Sequence, residues 1–493
     1  MISSSRKLIS HLRTQLFIDN KWVNSKSGQT FKTINPATEE VIAEVQRAST
    51  EDVDLAVKAA RTAYDNGPWR RMSGRERGQL IHKLTDLIIK NQANLAKLET
   101  IDGGKTITDT TYVDLPLTID TYRQYASLAN NIRGKTIPIT GPYNCYTRYE
   151  PVGVCAQIIP WNYPLLMQCW KMAPALAAGC TMILKPAEQT PLTALQIGDL
   201  IVEAGFPEGV VNILPGFGDV GRDLTLHPGV DKIAFTGSTE VGLEIQRNAG
   251  MNGLKRVSLE CGGKSPNIIL DDADLDCAVT NAHTGIFDAV GQCCIAGSRV
   301  YVQEGIYDKF LEKSVELAKV RKIGDPLDPE TQSGPQIEES LLEKILGYVH
   351  KGKMEGAKLV IGGNRWGSKG YFLEPIIFTD VTDNMSIARE EIFGPFMSIL
   401  KFKTIDEVIK RANDTKYGLG AGVQTTSLEK AIKIVNGVRA GSVYVNCYDY
   451  TTENTPFGGF KQSGVGREVT EEGLANYLEC KTVIIKTSQD TLP

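Results

Sequence analysis

The stretch Val154-Cys155-Ala156-Gln157-Ile158-Ile159-Pro160-Trp161-Asn162-Tyr163-Pro164 decides the fold. Its first six residues are nearly all apolar and Pro160 stops them, which predicts a short strand buried on both faces. The same pattern then repeats. Residues 172–178 read as helix, 181–184 as strand, 191–204 as a helix closed by Gly205, and 210–214 as strand; after a glycine turn, 232–235 reads as strand again. Apolar strands alternating with helices predict a parallel sheet covered on both faces, hence an α/β fold. From about Gly263 to Ser463 the alternation continues without repeating the sequence, which predicts a second α/β domain. Upstream, 16–23 reads as extended chain, Thr50 as the cap of an amphipathic helix ending near Gly67-Pro68, and 74–98 as a further amphipathic stretch. Around 130–150 the chain turns to β-type alternation with Pro138 and Pro142, an arm leaving the domain. The tail 477–487 alternates as a strand suited to a sheet edge, on this or another subunit.

Composition narrows the class. The 493 residues are too many for one core. With 42% hydrophobic residues, 23% charged residues and a formal charge of −4, the chain reads as globular, and no basic block supports nucleic-acid or membrane-surface binding. No apolar run reaches the roughly 18 residues needed to span a bilayer. Ten cysteines are scattered without a CxxC, which favours reduced thiols. Five widely spaced histidines without HExxH or a Cys/His cluster argue against a catalytic metal. Residues 1–15 carry Arg6, Lys7, Arg13 and several serines but no acid, and fit either a short targeting peptide or an ordinary N-terminal arm.

Two further segments carry chemistry. Val290-Gly291-Gln292-Cys293-Cys294-Ile295-Ala296-Gly297 offers a thiol in a small-residue loop, and Leu259-Glu260-Cys261-Gly262-Gly263-Lys264 offers a carboxylate beside two glycines. A sulfur nucleophile with a carboxylate that activates water is the minimum kit for making and hydrolysing a thioester. Parallel sheets bind ligands at the carboxyl ends of their strands. Three such ends are suggestive: Pro160-Trp161-Asn162-Tyr163-Pro164, Lys185-Pro186-Ala187-Glu188 and Thr236-Gly237-Ser238-Thr239. In the last, a glycine turn opens a helix whose free N–H groups suit a phosphate. Glu188 is placed to accept from a ribose diol and to repel a 2′-phosphate, which favours NAD over NADP. None of these is GxGxxG, and each alone is weak.

Together with Asn35-Pro36-Ala37-Thr38, Glu390-Glu391-Ile392-Phe393-Gly394-Pro395 and Pro456-Phe457-Gly458-Gly459-Phe460-Lys461, these blocks give the chain a resemblance to the aldehyde dehydrogenase superfamily, within it to the cytosolic and mitochondrial NAD-dependent class. The resemblance runs from Asn35 to Val483. It implies a Rossmann-like parallel-sheet NAD-binding domain (1–128 and 150–262), an α/β catalytic domain (263–470) and a small β oligomerisation arm with its tail (129–149 and 471–493). It implies Cys294 as nucleophile, Glu260 as the base for the hydrolytic water and Asn162 in the oxyanion hole. Cofactor contacts fall to Ile158, Trp161, Lys185, Glu188, Gly218, Phe235, Gly237, Ser238, Glu391 and Phe393. The substrate tunnel falls to Tyr163, Leu166, Met167, Trp170, Asp288, Cys293, Ile295, Asp449 and Phe457. The implied cofactor is NAD, with no metal. The implied partners are a small aldehyde and further copies of the chain in a homotetramer, a dimer of dimers, in the cytoplasm or alternatively the mitochondrial matrix.

Two departures bear on the substrate. Asp288-Ala289-Val290 stands where close relatives carry an aromatic followed by Asn-Gln or His-Gln, and 450–454 also differs. Asp288 is expected to bring an acid towards the tunnel mouth, which keeps a cationic amino-aldehyde in play beside uncharged aldehydes. A cysteine hydrolase without redox chemistry lacks the histidine partner that thiol hydrolases use. A non-catalytic binding protein is opposed by the intact Cys294, Glu260 and Asn162.

Overall fold

The computed structural model describes residues 12–487. Most of the 1–15 segment read as a possible targeting peptide lies outside the described residues. Two large sheets organise the chain. The first has eight strands in the order Gly464–Val465, Arg256–Glu260, Lys232–Thr236, Val154–Ile158, Thr181–Lys185, Val211–Ile213, Leu16–Ile18 and Lys21–Val23. Its five central strands are parallel. Of these, Val154–Ile158, Thr181–Lys185, Val211–Ile213 and Lys232–Thr236 are buried at every position, which is why their sequences run apolar rather than alternating. Gly464–Val465 comes back from the far end of the chain to pair antiparallel with Arg256–Glu260, opposing Gly464 to Glu260.

The second sheet has seven strands in the order Lys358–Ile361, Ile376–Thr379, Phe396–Phe402, Arg299–Gln303, Pro266–Ile269, Gly420–Gln424 and Ser442–Val445, parallel except at the Lys358–Ile361 edge. A third sheet joins Thr136–Ile137, Tyr143–Pro151 and the tail strand Leu478–Lys486. The tail pairs antiparallel with Tyr143–Pro151 of its own chain over nine positions, from Leu478 opposite Pro151 to Lys486 opposite Tyr143.

Helix boundaries follow local chemistry. Ser49, one residue before the expected cap, accepts from the Asp52 N–H while the Asp52 carboxylate accepts from the Ser49 N–H, a closed capping box. The amphipathic stretch from Gly74 divides at Asn91 into Gly74–Lys90 and Gln92–Gly103. The helix expected to start at 172 begins at Pro164, whose missing N–H costs nothing at a first turn, and all fifteen of its residues are buried. No described helix is long and apolar enough to cross a membrane.

Candidate active site

In the first sheet the chain runs outward in one direction from Val154–Ile158 through Thr181–Lys185 to Val211–Ile213, then returns to the other side at Lys232–Thr236. Loops leaving Val154–Ile158 and Lys232–Thr236 therefore diverge, opening the crevice where such sheets bind ligands. Pro160-Trp161-Asn162 and Gly237-Ser238 stand at that point. Both segments border a cavity of about 280 Å³.

Cys294, Glu260 and Asn162, from three separate segments of the chain, all line this cavity. The Asn162 Nδ2 donates to the carbonyl of Gln292 at 2.9 Å, which ties the amide to the turn before the cysteines. Gln292 is itself fixed, its Oε1 accepting from the Ile337 N–H at 2.9 Å. The chain reaches Gln292 through Ala289 (φ 48°) and Val290 (φ 49°), both in the left-handed region. A β-branched residue is rarely found there, so this turn stores backbone strain beside the reactive loop.

Glu260 is 4% exposed, and neither of its oxygens has a hydrogen-bond partner. Burial first, then the nearby Glu468 charge, pushes its carboxyl well above the usual range, while Lys171 and Arg467 oppose the shift. Lys171 donates to Glu468 Oε1 at 2.6 Å and to Thr236 Oγ1 at 2.5 Å. Sequence reasoning missed both Lys171 and Glu468. Lys171 had a signal, as the one charged residue in the otherwise uncharged helix Pro164–Ala178. Cys293 and Cys294 share a hydrogen bond that holds the Cys294 thiol well above its ordinary value, an effect burial reinforces. The same bond is the main reason Cys293 is pulled down to about 7.

The tunnel leading away is apolar and aromatic. Tyr163, Leu166, Met167, Trp170, Ile295 and Phe457 border the cavity, with Cys293 and Asp449. Trp170 and Phe457 pack with ring centroids 5.1 Å apart. Val113, Leu117 and Thr451 complete the wall and were not anticipated. Asp449 lies 3.7 Å from the Cys293 sulfur, and burial raises its carboxyl well above the usual range. Lys105, also unanticipated, sets its ammonium 3.2 Å from the centre of the Tyr163 ring and 2.7 Å from Asp114. Asp288 does not line the cavity, contrary to expectation. Its carboxylate turns to Arg321 at 3.0 Å, and Arg321 is anchored by the Phe287 and Gln332 carbonyls and by Ser333 Oγ.

On the opposite side, Trp161, Gly237, Ser238, Glu391 and Phe393 line the cavity. Trp161 and Phe393 meet edge to face at 5.3 Å, and Phe393 holds a φ of 66°. Glu391 Oε1 accepts from the Gly263 N–H at 3.0 Å, and a Cβ on Gly262 would lie 2.1 Å from the Glu391 carboxylate, so a larger residue there would displace that side chain. Lys185 is buried and 3.3 Å from Glu188, which keeps a partly exposed carboxylate at its strand end. Ile158 and Lys185 both approach Gly221 of the helix Gly218–Leu226, and Gly218, at its start, has open space where a Cβ would stand. Ser238 caps the helix Thr239–Ala249 beside Gly237, whose missing Cβ leaves room for the Phe235 ring. Two helix N-termini, a partly exposed carboxylate at a strand end and an open glycine cradle at a topological switch point fit a dinucleotide. Among the described residues no group of His, Cys, Asp or Glu could hold a metal ion.

The role expected of Asn162 as oxyanion donor can be tested directly. Asn162→Ala removes a preorganised donor, and kcat should fall about 100-fold with little change in melting temperature.

Comparisons with known proteins agree with this geometry. Residues 22–483 match the model of the aldehyde dehydrogenase family. The chain is 56% identical over 478 residues to retinal dehydrogenase 2 of Gallus gallus, covering 97% of this chain and 92% of the relative. It is 56% identical over 477 residues to the mitochondrial aldehyde dehydrogenase of Homo sapiens, with 96% and 92% covered. Among solved structures, the NAD+ complex of an aldehyde dehydrogenase from Bacillus cereus superposes with a TM-score of 0.96 at 47% identity, with 98% of each chain covered. The chain belongs to the aldehyde dehydrogenase family.

Proposed function

We propose that this NAD-dependent aldehyde dehydrogenase oxidises an uncharged aldehyde to the carboxylic acid with Cys294 as nucleophile, Asn162 as oxyanion donor and Glu260 as the base that activates water. The observation carrying the assignment is that these three groups line one cavity, which also takes in Gly237 and Ser238 at the switch point of the first sheet. Cys294 Sγ attacks the carbonyl carbon and forms a thiohemiacetal. Asn162 Nδ2 and the Cys294 N–H stabilise its oxygen. Collapse expels hydride and leaves a thioester on Cys294. Bound NAD supplies the hydride acceptor and a positive ring whose charge favours the thiolate. Glu260 then takes a proton from water, which attacks the acyl carbon and frees the acid.

Lys185 and Glu188 serve the adenine ribose in this reading, with Ile158, Gly218 and Phe235 around them. Trp161, Gly237 and Ser238 serve the pyrophosphate, and Glu391 with Phe393 the nicotinamide ribose. The apolar tunnel supports an uncharged aliphatic or aromatic substrate. Two observations weigh against a cationic amino-aldehyde: burial favours the neutral form of Asp449, and Asp288 is already paired with Arg321. The domain division 1–128 with 150–262, 263–470, and 129–149 with 471–493 belongs to the same proposal, as does assembly into a homotetramer. Ten unpaired cysteines support a reducing compartment, the cytoplasm or alternatively the mitochondrial matrix.

NADH formation monitored optically over a panel of aldehydes tests the reading, and a wild-type enzyme that reduces NAD with none of them overturns it. The cofactor assignment has its own check. Glu188→Gln removes the charge that repels a 2′-phosphate, so the preference for NAD over NADP, measured as a ratio of kcat/KM, should fall about tenfold or more. An unchanged ratio means that the ribose is read elsewhere.

A further inference from the structure

The helix Gln92–Gly103 ends in two carboxylates, Glu99 and Asp102, one turn apart. They are 2% and 1% exposed, and burial raises both carboxyls, Glu99 to about 7. Burying two acids is costly, so their partners matter. Glu99 Oε1 accepts from the Leu165 N–H at 2.9 Å and from the Thr193 hydroxyl at 2.7 Å. Asp102 Oδ2 accepts from the Leu192 N–H at 3.0 Å.

Leu165 and Leu192 open the helices Pro164–Ala178 and Leu192–Ala204. Neither helix has a capping side chain of its own; Tyr163 and Pro191 stand at the cap positions without a side-chain bond. Orphan N–H groups at a helix start need an acceptor, and a carboxylate there also meets the positive end of the helix dipole. Both acceptors come from a single third helix. The two capped helices begin directly after the loops that carry Asn162 and Tyr163 on one side and Glu188 on the other.

We propose that Glu99 and Asp102 are positioning residues that set these two loops: Glu99 holds the aldehyde-side loop through the Leu165 N–H and reaches the cofactor-side helix only through the Thr193 side chain, while Asp102 holds the cofactor-side loop through the Leu192 N–H. The helix Gln92–Gly103 is thereby the common reference for both halves of the reaction. The inference rests on the roles proposed above for Asn162 and Glu188.

The experiment uses the full-length enzyme and reads each side separately: hydrolysis of a p-nitrophenyl ester and kcat/KM for an aldehyde on one side, and the Kd for NADH by fluorescence on the other. Glu99→Met should lower ester hydrolysis and aldehyde kcat/KM about tenfold, because small displacements of a reacting group are costly, while the NADH Kd rises no more than about threefold, because the Leu192 N–H keeps its acceptor in Asp102 when the Thr193 hydroxyl loses Glu99. Glu99→Gln, which keeps an acceptor oxygen, should restore activity to within about threefold. Asp102→Leu should show the converse, an NADH Kd raised about tenfold with ester hydrolysis nearly intact, and Asp102→Asn should reverse it. If Glu99→Met or Asp102→Leu does not fold, Glu99→Asp and Asp102→Ala carry the same split at smaller size. Losses that appear equally in every readout and follow the melting temperature, or no loss at all, overturn the proposal. Asn162→Ala and Glu188→Gln are run alongside: if either leaves its own readout unchanged, the active-site reading has failed, whereas a normal response there with silent Glu99 and Asp102 variants sinks the positioning role alone.

Discussion

Cys294→Ala should abolish NADH formation, with the steady-state rate falling by at least about 10⁴-fold. The size follows from chemistry: without the sulfur assigned as nucleophile no covalent adduct forms. Cys293 is the informative control, because it borders the same cavity and its thiol is pulled down to about 7. A low value makes a thiolate, not a nucleophile in the right place. Cys293 faces Asp449 on the tunnel wall, and Cys293→Ala should cost less than about tenfold. It should also relieve Cys294 of the hydrogen bond that raises its thiol, so the pH at which alkylation of Cys294 reaches half its maximum should move downward. Labelling with iodoacetamide followed by peptide mapping reads both effects. Loss of NADH formation in Cys293→Ala comparable to that in Cys294→Ala would reverse the assignment.

The second large effect is at Glu260. Glu260→Gln should keep a first turnover, seen as a rapid burst of NADH approaching one equivalent per active site, and then stall, with the steady-state rate down about 10²- to 10³-fold. Amide and carboxylate are close in shape, so the burst separates loss of a base from loss of structure. The pH dependence has a definite sign. Glu260 is held well above the ordinary carboxylate range by burial and by the charge of Glu468, so its protonated form dominates until the pH passes that raised value. Only the carboxylate can accept a proton from water. Hydrolysis of the acyl-enzyme should therefore climb as pH rises through the shifted pKa and level off above it, and the climb should vanish in Glu260→Gln. A burst that disappears together with the steady state would place Glu260 before the thioester rather than after it.

Much of this was legible in the chain because the relevant signals are local. Continuous apolar runs ended by Pro160 or Lys185 announce central parallel strands, and ordered blocks around Asn162, Glu188, Ser238, Glu260 and Cys294 point to the crevice. What was not legible depends on distance. Lys171 and Glu468 are 297 positions apart, and only the sheet topology that returns Gly464–Val465 to Arg256–Glu260 brings them together. The start of the helix at Pro164 was hidden because a Pro-rich apolar loop and a first turn with Pro at its head look alike in sequence. Asp288 was expected at the tunnel from its place beside the cysteine loop; it does not line the cavity itself but pairs with Arg321, while its charge still acts on Asp449, which does line it. A charged side chain goes where its counter-charge is, and the partner lies 33 positions further on.

The return of the chain at Gly464–Val465 also constrains how the molecule is made. The strand bearing Glu260 is complete when little more than half the polypeptide has left the ribosome, yet its outer edge stays bare until the last stretch emerges. Until then Leu259 and Glu260 lack the edge partners that Val465 and Gly464 supply, and an unpaired strand edge is the kind of template that recruits unrelated strands. A message that ended before Gly464 would yield a product with its sulfur in place and that edge never sealed.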